Sequence, residues 1–341
     1  MTSQSCTLLS LLLCFHLVAC QPATPPAISD ATANTTLSPF VPLKAVLPHK
    51  PLFISTDYGQ NWEDASYNLP AEVQVSFIET KGEEMVIASD NLGVFLSSNE
   101  RTHWTSIGMS LPSQKINALH IIGEDIYVGV YQEGIFKTSD DGQNWEALNG
   151  DLPNLTVQSI YQTGGRLLAG TDDGLFYLDT STPVWQASNL KVQVLSIYEQ
   201  DGILIAGTQN GTALSNTKGA SWEWIRQVEA VHYTHPVGSR IMELVLTGDL
   251  VYSDDWGKTW NKTLYGPKEA SYVYEIVTAG NFQLISNNYG VHRSADNGQS
   301  WQLIYPIEHM AFFDFLVMGN VVYGGTRVWD EFRGRKDYRK N

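Results

Sequence analysis

The sequence predicts an all-β fold, a seven-bladed β-propeller built from four-stranded antiparallel blades. Three observations predict it: a turn motif that recurs about every 40 residues, two further strand patterns in each repeat, and a composition suited to strands and turns. The 341 residues include 28 Gly, 10 Trp and 16 Tyr. Aromatic residues favour strands and glycine favours turns, so this composition indicates short strands rather than helices.

The chain begins with features of an export signal. Residues 8–19 form an apolar run that is too short to span a bilayer as a helix. Leu17-Val18-Ala19-Cys20 follows and resembles the lipobox of bacterial lipoproteins, in which the cysteine is acylated. We therefore expect a lipoprotein signal peptide at 1–19 and lipidation of Cys20, with ordinary secretion into the medium or periplasm as the alternative.

Two segments outside the repeats differ from them in composition. Residues 20–48 are rich in Pro, Ala and Thr and cannot bury enough apolar surface to fold, so we expect a flexible tether. Residues 330–341 form a basic tail with five Lys or Arg after position 332, either a solvated end or a dock for an acidic partner. The propeller is expected to span residues 49–329.

One eight-residue motif, Ser/Thr-x-Asp-x-Gly-x-x-Trp, recurs along the propeller region. Its complete copies contain Asp57, Gly59 and Trp62; Asp140, Gly142 and Trp145; Asp255, Gly257 and Trp260; and Asp296, Gly298 and Trp301. A partial copy ends at Trp222, and two eroded copies end at Trp104 and Trp185. The seven tryptophans are separated by 42, 41, 40, 37, 38 and 41 residues, which is room for four short strands in each unit.

Each recurring position of the motif has a structural reason. The aspartate carboxylate accepts backbone N–H groups of a tight turn, and the glycine supplies a positive φ. The tryptophan is expected to fill the space between neighbouring units as an apolar plug. We therefore interpret the motif aspartates as structural and not as catalytic residues.

The rest of each unit supplies two more strands. Residues 157–171 predict an alternating strand, a glycine turn and a mostly apolar strand, and the same shape recurs at 116–130, 194–208 and 273–287. Four such strands form one propeller blade, since a single sheet cannot bury both of its faces.

The two ends of the repeat region predict how the ring closes. The chain opens with an outer strand pair at 52–55 and 62–65, and it ends with an inner pair at 311–318 and 321–326. Pairing the N- and C-terminal strands completes the seventh blade and removes two exposed sheet edges. Val328-Trp329 offers an alternative outer strand that would displace the N-terminal hairpin.

The motif resembles the Asp-box, also called the BNR repeat, and the resemblance covers residues 50 to about 326. Propellers with this repeat include sialidases, xyloglucanase-like glycosidases and the non-enzymatic photosystem II assembly factors of the Ycf48 type. The chain is similar to the Ycf48-type proteins in repeat design and blade number. Those proteins carry an arginine patch that this acidic chain does not repeat, so we do not expect a photosynthetic role to carry over.

Candidate ligand-binding residues follow from the blade order. Loops that connect the second and third strands line one mouth of the central channel, and here they are rich in acids, amides and tyrosines. The candidates are Asp90, Tyr131, Glu133, Asp172, Asp173, Asn210, Asn288, Tyr289 and Arg327. Such a mixture suits sugar hydroxyls, although polar residues beside glycine are also what turns require.

The resemblance also implies what an enzyme of this family would need. Sialidases grip the substrate carboxylate with three arginines and carry an Arg-Ile-Pro segment, which is missing here. Xyloglucanase-like enzymes enclose a cleft between two propellers, and this chain has residues for one. Glu133 and Asp172 remain the candidate catalytic pair, provided their separation suits glycoside hydrolysis.

The net charge of the chain and the positions of its histidines exclude some classes of binding partner. A net charge of −15 argues against nucleic acid and against adhesion of the domain to anionic membranes. His232 and His235 are three apart and face opposite sides of a strand, so we expect no metal, and we expect no cofactor. The predicted function is a non-enzymatic cell-envelope module that binds a protein or a glycan and reaches the membrane only through lipid on Cys20. A sialidase-like glycoside hydrolase acting on extracellular glycans is the alternative.

Overall fold

A computed structural model describes residues 49–179, 181–228, 231–237, 240–245, 250–263, 273–287, 289–307 and 310–328. These residues form seven four-stranded antiparallel sheets, which confirms the predicted fold class. Within these ranges no helix is long and apolar enough to cross a membrane. The predicted signal peptide, the tether with Cys20, and the basic tail lie outside the described residues.

The chain enters the ring with a short hairpin and then builds the first three complete blades. The hairpin consists of β1 (Leu52–Ser55) and β2 (Glu63–Asp64). Blade 1 contains β3 (Val75–Lys81), β4 (Glu84–Ser89), β5 (Val94–Ser97) and β6 (Trp104–Ser106). Blade 2 contains β7 (Ile116–Ile122), β8 (Asp125–Val130), β9 (Gly134–Thr138) and β10 (Glu146–Ala147). Blade 3 contains β11 (Val157–Thr163), β12 (Arg166–Thr171), β13 (Gly174–Asp179) and β14 (Thr182–Ala187).

Three further complete blades and a final strand pair follow. Blade 4 contains β15 (Val194–Gln200), β16 (Ile203–Thr208), β17 (Gly211–Ser215) and β18 (Glu223–Gln227). Blade 5 contains β19 (Val231–Val237), β20 (Arg240–Val245), β21 (Leu250–Ser253) and β22 (Asn261–Lys262). Blade 6 contains β23 (Val273–Ala279), β24 (Phe282–Asn287), β25 (Gly290–Ser294) and β26 (Gln302–Pro306). The chain ends with β27 (Met310–Met318) and β28 (Val321–Val328).

The first strand of each blade is the innermost one. These strands contact one another in the order β3, β7, β11, β15, β19, β23, β27 and back to β3, so they form a closed ring. Each innermost strand is interrupted by a β-bulge near its start, where one residue has no partner on the second strand. Bulges re-aim side chains at sheet edges, and here they occur at the same mouth of the channel in every blade.

Blade 7 is assembled from both ends of the chain, as predicted. Its strand order is β2-β1-β28-β27, and β1 pairs with β28 from Leu52↔Gly325 to Ser55↔Val322. Val328 is the last residue of β28 and pairs with Met310. The alternative in which Val328 begins an outer strand is therefore wrong.

The hydrophobic core lies between neighbouring blades. Trp62 is 8% exposed and belongs to a cluster with Leu284 and Val291 of blade 6. Trp222 is 3% exposed and belongs to a cluster with Leu168 and Leu175 of the preceding blade. These two tryptophans thus pack where the sequence predicts, because a sheet with two buried faces needs large apolar side chains between neighbouring blades.

Polar side chains also join neighbouring blades, and the repeat pattern does not predict these contacts. The Asn189 side chain accepts the N–H of Trp222 at 2.8 Å and donates to the carbonyl of Trp222 at 2.8 Å. Asn68 makes the same two bonds to Trp104 of the next blade, at 2.7 and 2.8 Å. A leucine follows both asparagines and is buried, so at these two seams a short Asn-Leu segment joins the outer strand to the next blade.

Candidate functional site

The Asp-box turns connect the third and fourth strands of each blade. In the first copy, the Ser55 hydroxyl donates to Asp57 at 2.8 Å, and the Asn61 N–H donates to the same carboxylate at 2.9 Å. Gly59 has a φ of 82°, and its N–H donates to the Ser55 hydroxyl at 2.9 Å. All four complete copies repeat this arrangement with Asp140, Asp255 and Asp296.

Turn hydrogen bonds keep these aspartates ionised. Bonds from the backbone and side chain of Thr259 lower the pKa of Asp255 to about 2. The side chain and backbone of Ser300 lower the pKa of Asp296 to about 2 in the same way. Such acids hold no proton to donate near neutral pH, so they are unsuited to general acid catalysis.

The candidate ligand-binding residues lie at the channel mouth. In four blades the first residue of the turn between the second and third strands donates its N–H to the residue just before the innermost strand: Asp90 to Gln74, Tyr131 to Lys115, Asp172 to Thr156 and Gln209 to Gln193. These bonds hold the turns beside the entrance of the channel. Asn210 and Tyr289 occupy the corresponding turns of blades 4 and 6, whereas Asn288 lies outside the described residues.

Arg327 lies within β28, although the sequence analysis placed it in a loop. Its Nε donates to the Val75 carbonyl at 3.0 Å, its guanidinium also bonds the Ser76 hydroxyl, and it lies 3.9 Å above the Phe313 ring. Burial lowers the pKa of Arg327, and the charge of Asp90 opposes this. The loop assignment failed because β28 extends two residues beyond the apolar run that predicted it.

A chain of charges crosses the mouth from blade 7 to blade 2. Asp90 lies 3.8 Å from both Arg327 and Lys115, and the ammonium of Lys115 lies 4.2 Å from the centre of the Tyr131 ring. Tyr131 remains 37% exposed. Lys115 has no counterpart among the predicted site residues, because it precedes the strand instead of following one.

The candidate catalytic pair lies on neighbouring blades. One Asp172 oxygen accepts the amide N–H groups of Gln158 at 2.8 Å and Gln193 at 2.6 Å. Those glutamines belong to blades 3 and 4, so Asp172 joins two blades at the mouth. Glu133 is exposed, and its backbone carbonyl accepts from Asn149 at 2.7 Å.

Asp173 is held in a different way. Its carboxylate accepts the side-chain amide of Asn154 at 2.6 Å. Asp172 and Asp173 therefore both accept hydrogen bonds from side-chain amides. These bonds fix the turn between β12 and β13 to its surroundings.

The arginines within the described residues of the ring do not converge. Arg101, Arg166, Arg226, Arg240, Arg293 and Arg327 lie in six different blades. Arg166 and Arg240 pair with Asp179 at 2.9 Å and Asp254 at 2.6 Å in their own blades. They also donate to backbone carbonyls in the Asp-box turn of the next blade. These two arginines therefore connect neighbouring blades, and they do not form the group of three arginines that binds a substrate carboxylate in sialidases.

Metal-binding geometry is not found in the part of the chain that the structure describes, where no three His, Cys, Asp or Glu residues could hold an ion. Burial lowers the pKa of His235 to about 4, so this imidazole is neutral at physiological pH. Sequence reasoning missed the residues that line the channel below the mouth, including His120 and Tyr161, whose rings stack at 5.2 Å.

Comparison with known proteins identifies the family. The profile of the photosynthesis system II assembly factor YCF48 matches residues 46–281, more than half of the chain. No functionally curated protein matches the sequence.

Solved structures share the fold. YCF48 bound to a D1 peptide has a TM-score of 0.61 and 14% identity, over 83% of this chain and 99% of that one. The extracellular domain of a one-component system from B. thetaiotaomicron has a TM-score of 0.63 and 16% identity over 76% of this chain, which spans only 38% of that protein. An ancestral GH74 enzyme has a TM-score of 0.55 and 15% identity, over 75% and 40% of the two chains.

Proposed function

Since the chain belongs to the family of the photosystem II assembly factor YCF48, we propose that it is a non-catalytic propeller that binds a protein segment at the channel mouth. The observation that carries the proposal is the mouth itself, where the exposed Tyr131 ring adjoins Lys115 and the Arg327–Asp90 pair. Tyrosine and arginine are enriched among the residues that contribute most of the binding energy at protein interfaces. A YCF48 structure holds a D1 peptide, which supports the same mode of action here.

The acids at the mouth support binding over hydrolysis. Asp172 accepts two amide N–H groups at one oxygen, so hydrogen bonds within the propeller already occupy this carboxylate. A glycoside hydrolase needs one carboxylic acid that holds its proton until the leaving group departs. The likeness to GH74 enzymes rests on the fold alone.

A peptide library tests the proposal. Peptides selected from a random displayed library on the purified protein would be measured by calorimetry against Tyr131→Ala and Tyr67→Ala. Tyr67 is 61% exposed in the loop that follows the outermost strand β2 and is not among the candidate ligand-binding residues. We expect Tyr131→Ala to weaken binding by about tenfold, as for a central aromatic anchor, and Tyr67→Ala to leave it unchanged.

Two outcomes would contradict the proposal. Equal affinities for both tyrosine variants would place the binding surface elsewhere. Turnover of fluorogenic glycosides that Asp172→Asn or Glu133→Gln abolishes would establish the hydrolase alternative, and a parallel glycan array would reveal a sugar ligand.

We also propose that the protein is exported and held at the cell envelope by lipid on Cys20. The apolar run at 8–19, the Leu-Val-Ala-Cys segment and the absence of any later cysteine support this. Detergent-phase partitioning and the mass of the N-terminal peptide test it, with Cys20→Ala as the control. An N-terminal peptide that carries unmodified Cys20 would contradict the lipid anchor.

A further inference from the structure

Five consecutive innermost strands carry a glutamate, a histidine or a tyrosine as their fifth residue. These residues are Glu79, His120, Tyr161, Tyr198 and His235, which we name the channel ring. Neighbouring blades cover both faces of an innermost strand, so partial exposure in the middle of such a strand opens to the channel. All five members are half-buried, and their side chains therefore contribute to the channel wall.

The channel ring lies below the mouth described above. Glu79 follows Val75 by four residues on β3, which corresponds to about 13 Å along a strand. The turns with Asp90 and Tyr131 lie at the Val75 end of the innermost strands. The channel ring and the proposed peptide-binding mouth are thus separate places.

Contacts between blades fix the orientation of the ring members. One Glu79 oxygen accepts the N–H of Ile121 at 2.8 Å, and the other lies 3.5 Å from His120 Nδ1. His120 stacks on Tyr161 with an angle of 23° between the rings. Tyr198 meets His235 edge-on at 5.6 Å. The result is a carboxylate followed by four ring-bearing side chains around one wall of the channel.

A second carboxylate, Glu199, follows Tyr198 on β15 and is half-buried. Burial raises the pKa of Tyr161, and the charges of Glu199 and Glu79 raise it further. Lys81, on the same strand as Glu79, is already paired with Glu84, Glu124 and Asp141 at 3.0–3.3 Å, so it does not neutralise them.

We propose that the channel ring binds an organic ammonium group between the Tyr161 and Tyr198 rings, with Glu79 as the counter-charge. Aromatic faces attract cations, and they favour ammonium groups that have shed part of their water. The net charge of −15 favours the approach of a cation. Aromatic walls with few oxygen ligands fit an ammonium group better than a metal ion, since metal ions require several oxygen or nitrogen ligands.

Calorimetric titration of the purified full-length protein in 0.15 M salt, a roughly physiological ionic strength, tests the proposal. The probes are spermidine, tetramethylammonium chloride and a capped Gly-Lys-Gly peptide. Glu79→Gln keeps an acceptor for the Ile121 N–H while removing the charge, and we expect it to weaken binding about fivefold. Tyr161→Leu removes an aromatic face and should weaken binding similarly, whereas Tyr161→Phe should retain it.

Glu146→Gln is the matched charge control, because Glu146 is exposed on the outermost strand β10. Its affinity should equal that of the unmodified protein. A loss as large as that of Glu79→Gln would show non-specific attraction and overturn the proposal, as would the absence of saturable binding for all three probes.

The three probes distinguish the possible sources of the ammonium group, and the variants distinguish lost binding from lost folding. Binding of spermidine alone indicates a free amine ligand, and binding of the lysine peptide alone indicates a partner's side chain; either supports the site. If Tyr161→Leu does not fold, Glu79→Gln decides, with its melting temperature as the folding check. Loss of peptide binding in Tyr131→Ala with unchanged ammonium binding would show that the two sites are independent.

Discussion

Asn189 shows how one side chain holds two blades together. Both ends of its amide bond the backbone of Trp222, at 2.8 Å each, across the seam between blades 3 and 4. Asn189→Ala leaves a backbone N–H and a carbonyl without these partners, and each unmade bond at a part-buried site costs about 1 kcal/mol or more. We expect urea unfolding, followed by tryptophan fluorescence, to show a loss of roughly 2 kcal/mol in the free energy of unfolding.

Asn216 provides the control for this prediction. It is exposed in the turn of blade 4, and Asn216→Ala should change the free energy of unfolding by less than about 0.5 kcal/mol, as for ordinary surface positions. Equal losses for the two variants would show that the inter-blade bonds do not contribute to stability.

Asp314 is expected to make stability depend on pH. Burial raises the pKa of Asp314 to about 7, the Glu79 charge adds to this rise, and the Ile78 N–H and the Arg327 charge oppose it. A raised folded-state pKa contributes stability that is complete below the unfolded value of 3.8 and is lost as the pH rises through about 7. His235 and His292, both with a pKa of about 4, act oppositely, because their folding contribution is lost as the pH falls below 6.5.

Comparison of Asp314→Asn with the unmodified protein isolates the aspartate from the histidines. Between pH 6 and pH 8 the unmodified protein should lose roughly 1 kcal/mol of stability relative to Asp314→Asn. Urea unfolding at both pH values measures this difference, and Asp201→Asn in the exposed turn of blade 4 is the control. Parallel pH profiles of Asp314→Asn and the unmodified protein would contradict the assignment.

The Asp-box hairpin places the motif tryptophan in the interface between neighbouring blades. Trp222 and Trp224 are two residues apart in blade 4, yet they are 3% and 37% exposed. Trp222→Ala should lower the free energy of unfolding by about 3–5 kcal/mol, as for a buried aromatic side chain. Trp224→Ala should lower it by less than about 1 kcal/mol because much of that ring is already in water. Chemical denaturation compares the pair, and similar losses would contradict the role of the motif tryptophan as an inter-blade plug.

The sequence predicts the structural features that depend on residues repeated within one 40-residue unit. Asp, Gly and Trp of the turn recur at fixed spacing, so the hairpin, the blade and the closing pair follow from local patterns. Asn68 and Asn189 escaped notice because their partners, Trp104 and Trp222, lie in the next blade. A search for Asn-Leu after the outer strand would have found them.

The mouth was predicted less completely than the blades. The turns with Asp90, Tyr131 and Asp172 lie beside the channel because their position follows from strand order. Lys115 and Gln193 precede innermost strands and come from a neighbouring unit, so no repeat marks them. Arg327 was misplaced because an apolar run cannot show how far a strand continues into polar residues.

Closure of the ring unites these elements into one molecule. Each of the seven sheets buries its two faces against two neighbouring sheets. The loss of strands from any blade would therefore expose hydrophobic core of the blades on both sides of it. Blade 7 is the point at which the two ends of the propeller region must meet. Leu52 and Phe53 of β1 are 1% and 8% exposed, and they fill the seams on the two sides of that blade.

Removing β1 and β2 should open the ring. A chain that starts at Ser66 loses the pairing of β28 with β1 and the burial of Leu52 and Phe53, which together stabilise the fold by at least about 3–6 kcal/mol. We expect a lower melting temperature than that of a chain starting at residue 45, together with concentration-dependent association through the exposed edge of β28. A synthetic peptide of residues 49–65 should bind the shortened chain and restore the melting temperature, whereas the same peptide with Phe53→Pro should not, because proline cannot donate to the ladder. An unchanged melting temperature in the shortened chain would show that blade 7 does not need the N-terminal strands, and the ring would then close by some other contact.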